Sequence, residues 1–197
     1  MKSLWLIPAL ALLLACGFTE ARASEYSRTV GETDMAFAQR VLRIPDSGDP
    51  NVIAADWNGV PTLFVDYETT GDNPDRLLVA LQRQPDGAYR AIQVTDGEQE
   101  GGTPDIAAIG FANADRDPAK ELIVILTWNQ AHYDVGGTLY EVRHFDDPKP
   151  GQISLTQLKL SGHFGSECDC TWRDGSSKHY PFKTIAAVKA ELKRLGY

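Results

Sequence analysis

The residues best spaced for chemistry lie in one stretch, Phe111-Ala112-Asn113-Ala114-Asp115-Arg116-Asp117-Pro118-Ala119-Lys120-Glu121, followed by the apolar run Leu122 to Leu126. Asn113, Asp115 and Asp117 alternate, and Glu121 closes the set. Oxygen-bearing side chains at every second position of a tight loop can point inward together. Ala119 can add its main-chain carbonyl. A hard cation such as calcium takes six to eight oxygens at about 2.3–2.6 Å, so this loop with water would suit it as a structural ion. The competing reading is an acidic turn, since Asp-Pro is a common turn former.

A second chemical cluster is Cys168 and Cys170 with His163 and His179 nearby. Cysteines two apart form a tight bridge, remain two thiols, or join the histidines around zinc; the spacing matches no usual finger. Cys170 and His179 could also be drawn as a thiol catalyst. The chain carries no Gly-x-Ser-x-Gly, His-Glu-x-x-His, P-loop or dinucleotide fingerprint. Asp146-Asp147 reads as solvated loop charge rather than an acid/base dyad. Binding is therefore expected over catalysis.

Two segments offer binding groups. Trp128, His132 and Tyr133 mix rings and polar atoms at a strand end, as interfaces and sugar sites do. Ser161-Gly162-His163-Phe164 follows a predicted strand.

The elements that position these groups read mainly as β. Short apolar runs alternate with Asp, Gly, Asn and Pro clusters. Leu63-Phe64-Val65 follows the turn-like Asp56-Trp57-Asn58-Gly59. Leu77 to Leu81 meets Tyr89 to Val94 across Pro85-Asp86-Gly87, a hairpin signal. Leu122 to Trp128 reads as a strand covered on both faces. Its expected partner is Thr138 to Phe145, with Gly136-Gly137 near the turn. Ile153, Leu155, Leu158 and Leu160 suggest another strand, with a broken alternation. Residues 25–45 fit a short helix or a strand. Thr184 to Leu195 is a helix by its apolar period, with Gly196 as its stop. The hairpins beginning at Leu77 and Leu122 are spaced like two blades of a repeat. Antiparallel hairpins in a propeller-blade-like or sandwich arrangement, with one C-terminal helix, are expected.

The N-terminus MKSLWLIPALALLLACGFTEARAS has the layout of a signal peptide over residues 1–23, ending at Ala21-Arg22-Ala23. Leu13-Leu14-Ala15-Cys16 resembles a bacterial lipobox, which would make 1–15 the signal and lipidate Cys16. Either route leads to the periplasm, free or membrane-anchored. The remaining residues, about 175, suit one domain, 24–197. A net charge of −8 without a Lys/Arg stripe argues against nucleic-acid binding and suits a cationic partner.

Phe111-Ala112-Asn113-x-Asp115-x-Asp117-x-x-x-Glu121-Leu-Ile-Val resembles the calcium loop and strand of FG-GAP or VCBS-type repeats. It departs from them at Pro118, where the repeats carry glycine. Ser161-Gly162-His163-Phe164 is similar to the Ser-Gly-x-Tyr loop of some periplasmic lysozyme inhibitors, with Phe164 in place of the tyrosine. The layout of signal, degenerate repeat loop, late Cys-x-Cys and terminal helix ending Leu-Gly-Tyr resembles periplasmic immunity proteins against cell-wall-degrading effectors. These resemblances imply an inhibitor or immunity protein whose partner is a cationic peptidoglycan hydrolase or effector. The alternatives are a calcium-stabilised glycan- or surface-binding module and a hydrolase of unknown type.

Overall fold

The computed structural model describes residues 25–197. The signal segment and Cys16 lie outside the described residues. No helix among these is long and apolar enough to cross a membrane.

The described chain is a β-sandwich of two antiparallel five-stranded sheets. The first sheet holds β1 (Glu25–Tyr26), β2 (Asn51–Trp57), β3 (Val60–Glu68), β4 (Arg76–Arg83) and β5 (Tyr89–Gly97), in the order β1-β5-β4-β3-β2. The second holds β6 (Asp105–Ala112), β7 (Glu121–Ala131), β8 (Val135–Phe145), β9 (Ser166–Trp172) and β10 (Ser177–Lys178), in the order β10-β9-β8-β7-β6. Each sheet therefore comes from one contiguous half of the described chain. The turns follow local chemistry. Asn58 (φ 54°) and Gly59 (φ 82°) adopt the paired positive φ that a two-residue β2–β3 hairpin requires.

The sandwich is the alternative that its packing selects over a propeller, because the two sheets share one core. Phe64, Leu78, Ala80 and Ile92 of the first sheet pack on Leu122, Val124, Leu126 and Trp128 of the second. Strand alternation sends the other residues of each run outward, where helices cover them. Helix α1 (Asp34–Leu42) lays Phe37, Ala38 and Val41 against Leu63, Val65, Val79 and Leu81. The Thr33 hydroxyl caps it by accepting the Ala36 N–H at 3.2 Å, which resolves the ambiguous segment 25–45 into a short strand and a helix. Helix α3 (Ile185–Leu195) covers the other side with Val188 and Leu192 against Ile123 and Ile125. Thr184 caps its start and Gly196, at φ 92°, ends it. It comes close: a Cβ at Gly110 of β6 would lie 2.5 Å from the Ile185 side chain.

Three local expectations change. Gly136 and Gly137 lie inside β8, and the turn is His132 to Val135, closed by the His132 N–H donating to Val135 O at 2.9 Å. A Cβ at Gly137 would run into Asp169 O and Cys170 Cα of β9, so the glycine serves strand approach rather than the turn. Ser161–Phe164 is a single helical turn, α2. The segment from Asp146 to Leu160 is not a strand. It is a strap that leaves β8 and crosses to the first sheet, with Gln93 N–H donating to Ile153 O at 2.9 Å and Leu155 N–H donating to Gln93 O at 2.8 Å. It covers the part of the β5 edge that the two-residue β1 leaves free.

Candidate cation site and binding surface

The loop between β6 and β7 is built from its own side chains. The register that pairs Ala112 with Glu121 brings its ends together. Asp115 Oδ1 accepts the Asp117 N–H at 2.7 Å, and Asp117 Oδ1 accepts the Ala119 N–H at 2.8 Å. These consecutive Asx turns carry the chain through Pro118 without any positive φ between Asn113 and Glu121. The loop thus takes a path that proline's fixed φ allows, unlike one that needs glycine. Asn113 Nδ2 donates to Asp117 O at 3.2 Å. Ala119 is held through its N–H. The first sheet clamps the loop's end: Trp57 Nε1 and Asn58 Nδ2 donate to Lys120 O at 2.6 and 3.0 Å, and Lys120 N–H donates to Asn58 Oδ1.

Glu121 is the exceptional group. Its residue is 0 % exposed, Oε2 accepts the Ala114 N–H, and Oε1 has no hydrogen-bond partner among the described residues. An orphaned carboxylate oxygen in a solvent-inaccessible position is costly. Burial pushes its pKa up, the Ala114 N–H pulls against this, and the charges of Asp115 and Asp117 push further in the burial direction. One carboxylate oxygen each from Asp115, Asp117 and Glu121 lies within 4.8 Å of the others. The donor set is all oxygen and negatively charged, which fits a hard divalent cation.

The binding groups expected near the β7–β8 turn divide. Trp128 belongs to the core: it is buried among the inward residues of β7, and its Nε1 donates to Glu98 O at 2.9 Å. Alternation from Leu122 fixes that orientation, so Trp128 is not available to a partner. His132 and Tyr133 are exposed, Tyr133 at 86 %. The Arg173 guanidinium lies 4.5 Å from the Tyr133 ring centre, and Arg173 N–H donates to Asp134 O at 2.9 Å. With Trp172 they line a shallow cleft of about 500 Å³ at the sheet's end.

Ser161, Gly162, His163 and Phe164 do not form a protruding loop. Phe164 is 3 % exposed, with its ring 4.7 Å from His144 and 4.9 Å from Phe182. Ser161 is buried, its Oγ accepting the His144 N–H at 2.9 Å. Only Gly162 and His163 face solvent. His163 Nε2 lies 2.7 Å from Glu191 Oε1 of α3, and Arg194 first, then His163, holds the Glu191 carboxyl down to about 2.

Cys168 and Cys170 are joined as a disulfide, with Cα atoms 5.2 Å apart, opposite Leu139 and Gly137 of β8. Both sulfurs are therefore committed to each other, which leaves neither a thiolate for His179 nor a thiolate pair for zinc. His179 Nδ1 instead faces Asp169 at 3.4 Å, and Lys183 Nζ lies 2.5 Å from the same carboxylate.

Sequence reasoning missed two contributions. Trp172 and Arg173 reach the Tyr133 cleft through β8–β9 pairing, a long-range register that no local pattern carries. Asp146 and Asp147 lie beside the cation loop: their carboxylates and that of Asp117 also fall within 4.8 Å of one another. The β7–β8 register could have found them, since Leu122 pairs with Phe145 and the next step places Asp146 across from Glu121.

Comparison with protein-family models, curated proteins and solved structures gave no match. Fold and site together define a helix-clad β-sandwich with a carboxylate loop at one end of its second sheet and an aromatic cleft beside the β7–β8 turn.

Proposed function

We propose that this is a non-enzymatic binding protein of the bacterial periplasm, an inhibitor or immunity protein that neutralises a cationic peptidoglycan-degrading enzyme. The observation that carries the reading is the exposed Tyr133 ring, backed by the Arg173 guanidinium beside Trp172 at the end of a rigid sheet. Tyr, Trp and Arg are the residues that most often dominate interface energies. The net charge of −8 adds long-range attraction for a cationic enzyme. The contact surface in this reading is the Tyr133 cleft, because Phe164 is packed in the core.

The test is affinity capture from periplasmic extract followed by calorimetry with the recovered hydrolase. Binding that inhibits hydrolysis, weakens with salt and drops about thirtyfold in Tyr133→Ala is the expected result. Failure to recover any hydrolase, or a Tyr133→Ala protein that inhibits as well as the wild type, would remove the reading.

A second reading has its own observation. The unpartnered Glu121 Oε1 supports a calcium-stabilised glycan- or surface-binding module, with Glu121, Asp115 and Asp117 holding the ion and Asn113 and Ala119 shaping the loop. Calcium would there neutralise the buried carboxylate and stabilise the fold by an amount that grows with the logarithm of its free concentration above Kd. Chelator-treated protein is expected to melt at a higher temperature on adding calcium; an unchanged melt, together with flat glycan binding, speaks against it.

A further inference from the structure

The acidic nest at Glu121 does not belong to the loop alone. Asp117 is common to both carboxylate triads, one with Asp115 and Glu121, the other with Asp146 and Asp147. Oxygens on opposite sides of an ion bound at about 2.4 Å are about 4.8 Å apart, so each triad is compact enough to share an ion, and because the two meet only at Asp117, one ion reaching both requires Asp146 and Asp147 to move in. Lys149 Nζ stands at 2.9 Å from Asp147 and 3.5 Å from Asp146 and supplies their present counter-charge. The Lys149 side chain is about half exposed and free to turn to solvent. The fully buried Oε1 of Glu121 has no such counter-charge among the described residues.

Asp146 and Asp147 open the strap. The Asp146 N–H donates to Thr156 O at 3.2 Å, Arg90 Nη1 donates to Lys149 O at 3.2 Å, and the Leu155 and Gln93 amides tie the strap to β5. Leu155 packs against the inter-sheet core.

We propose that a divalent cation bound at Glu121, Asp115 and Asp117 also takes its ligands from Asp146 and Asp147, displacing Lys149, and so fastens the β6–β7 loop of one sheet to the strap that caps the other. This rests on the cation reading of the loop and adds that the ion is a clasp between the loop and the root of the strap, whose far end is hydrogen-bonded to β5 of the first sheet. The ligands it adds come from the end of β8, brought in by register rather than by loop spacing.

Calcium chloride titration of chelator-treated full chain by calorimetry, paired with hydrogen exchange across residues 150–157, tests it. Wild-type protein is expected to bind calcium and to exchange the Leu155 amide more slowly when loaded. The Asp146→Asn/Asp147→Asn protein is expected to bind about tenfold or more weakly and to lose the effect on Leu155. Asp147→Asn alone, expected to fall between the two, serves if the double variant does not match the wild-type calcium-free melt. If the variants bind as the wild type does and Leu155 exchange ignores calcium, the clasp is overturned while the loop site stands. If wild-type protein binds no calcium, the clasp and the cation reading fall together.

Discussion

Replacing Arg76 with Met is expected to lower the unfolding free energy by about 3–5 kcal/mol at pH 7, read from urea denaturation. Arg76 is only 7 % exposed and sits on the inner side of β4. Its Nη1 is 3.1 Å from Asp66 Oδ1, its Nη2 is 3.1 Å from Glu68 Oε1, and its Nε donates to Pro104 O at 3.2 Å. The contact with Pro104 reaches across to the segment that begins the second sheet. Without the guanidinium, Asp66 remains buried with only the Asn51 amide, at 3.0 Å, on its other oxygen. Burial already pushes the Asp66 pKa up, and Asn51 and Arg76 are what restrain it. In Arg76→Met that restraint weakens, so the folded-state pKa rises further above the unfolded value. A group shifted upward favours the folded state at low pH and disfavours it as pH rises through the folded pKa. The gap between variant and wild type should therefore narrow on acidification. A loss below about 1 kcal/mol at pH 7 would mean that the Arg76 network is not a buried ion pair in solution.

The second large effect belongs to His144. Its residue is 0 % exposed, and neither ring nitrogen has a hydrogen-bond partner among the described residues. Burial pushes its pKa down from 6.5 to about 4. The unfolded chain therefore takes up a proton near pH 6.5 that the folded chain refuses until about pH 4. Stability from this group is complete above pH 6.5 and is lost as pH falls through that window, by about 3 kcal/mol in all. His144→Leu keeps the apolar contact with Phe164 and removes the titration. The difference between wild-type and variant unfolding free energies, measured from pH 7 to 4, is expected to shift by that amount in the variant's favour. A constant difference would show that the imidazole finds a proton partner in solution.

How much of this could be read from the chain depends on the range of the cause. Leu122 to Trp128 was legible as a doubly covered strand, because inter-sheet contacts on one face and α3 on the other demand apolar residues at every position from Leu122 to Leu126. Helix α3 was legible from its period and its glycine stop, both local signals. The four-residue α2 has no period to detect. The strap imitates a strand in composition, yet Leu155 serves the core while Ile153 is exposed. In the candidate site, the loop spacing of Asn113, Asp115, Asp117 and Glu121 was visible. The orphaned oxygen of Glu121, the arrival of Asp146 and Asp147 and the burial of Phe164 were not, since each is set by tertiary neighbours far along the sequence.

The division of the chain into one sheet up to Gly97 and another from Asp105 has a kinetic consequence. Most strand pairings join sequence neighbours, so their loops close at small entropic cost and can form early. As the chain emerges from a ribosome, the first half can assemble its hairpins before the second half is out. The contacts of Phe64 and Leu78 with Leu122 and Val124, and of the strap with Gln93, join residues far apart in sequence and so close larger loops than the hairpins do.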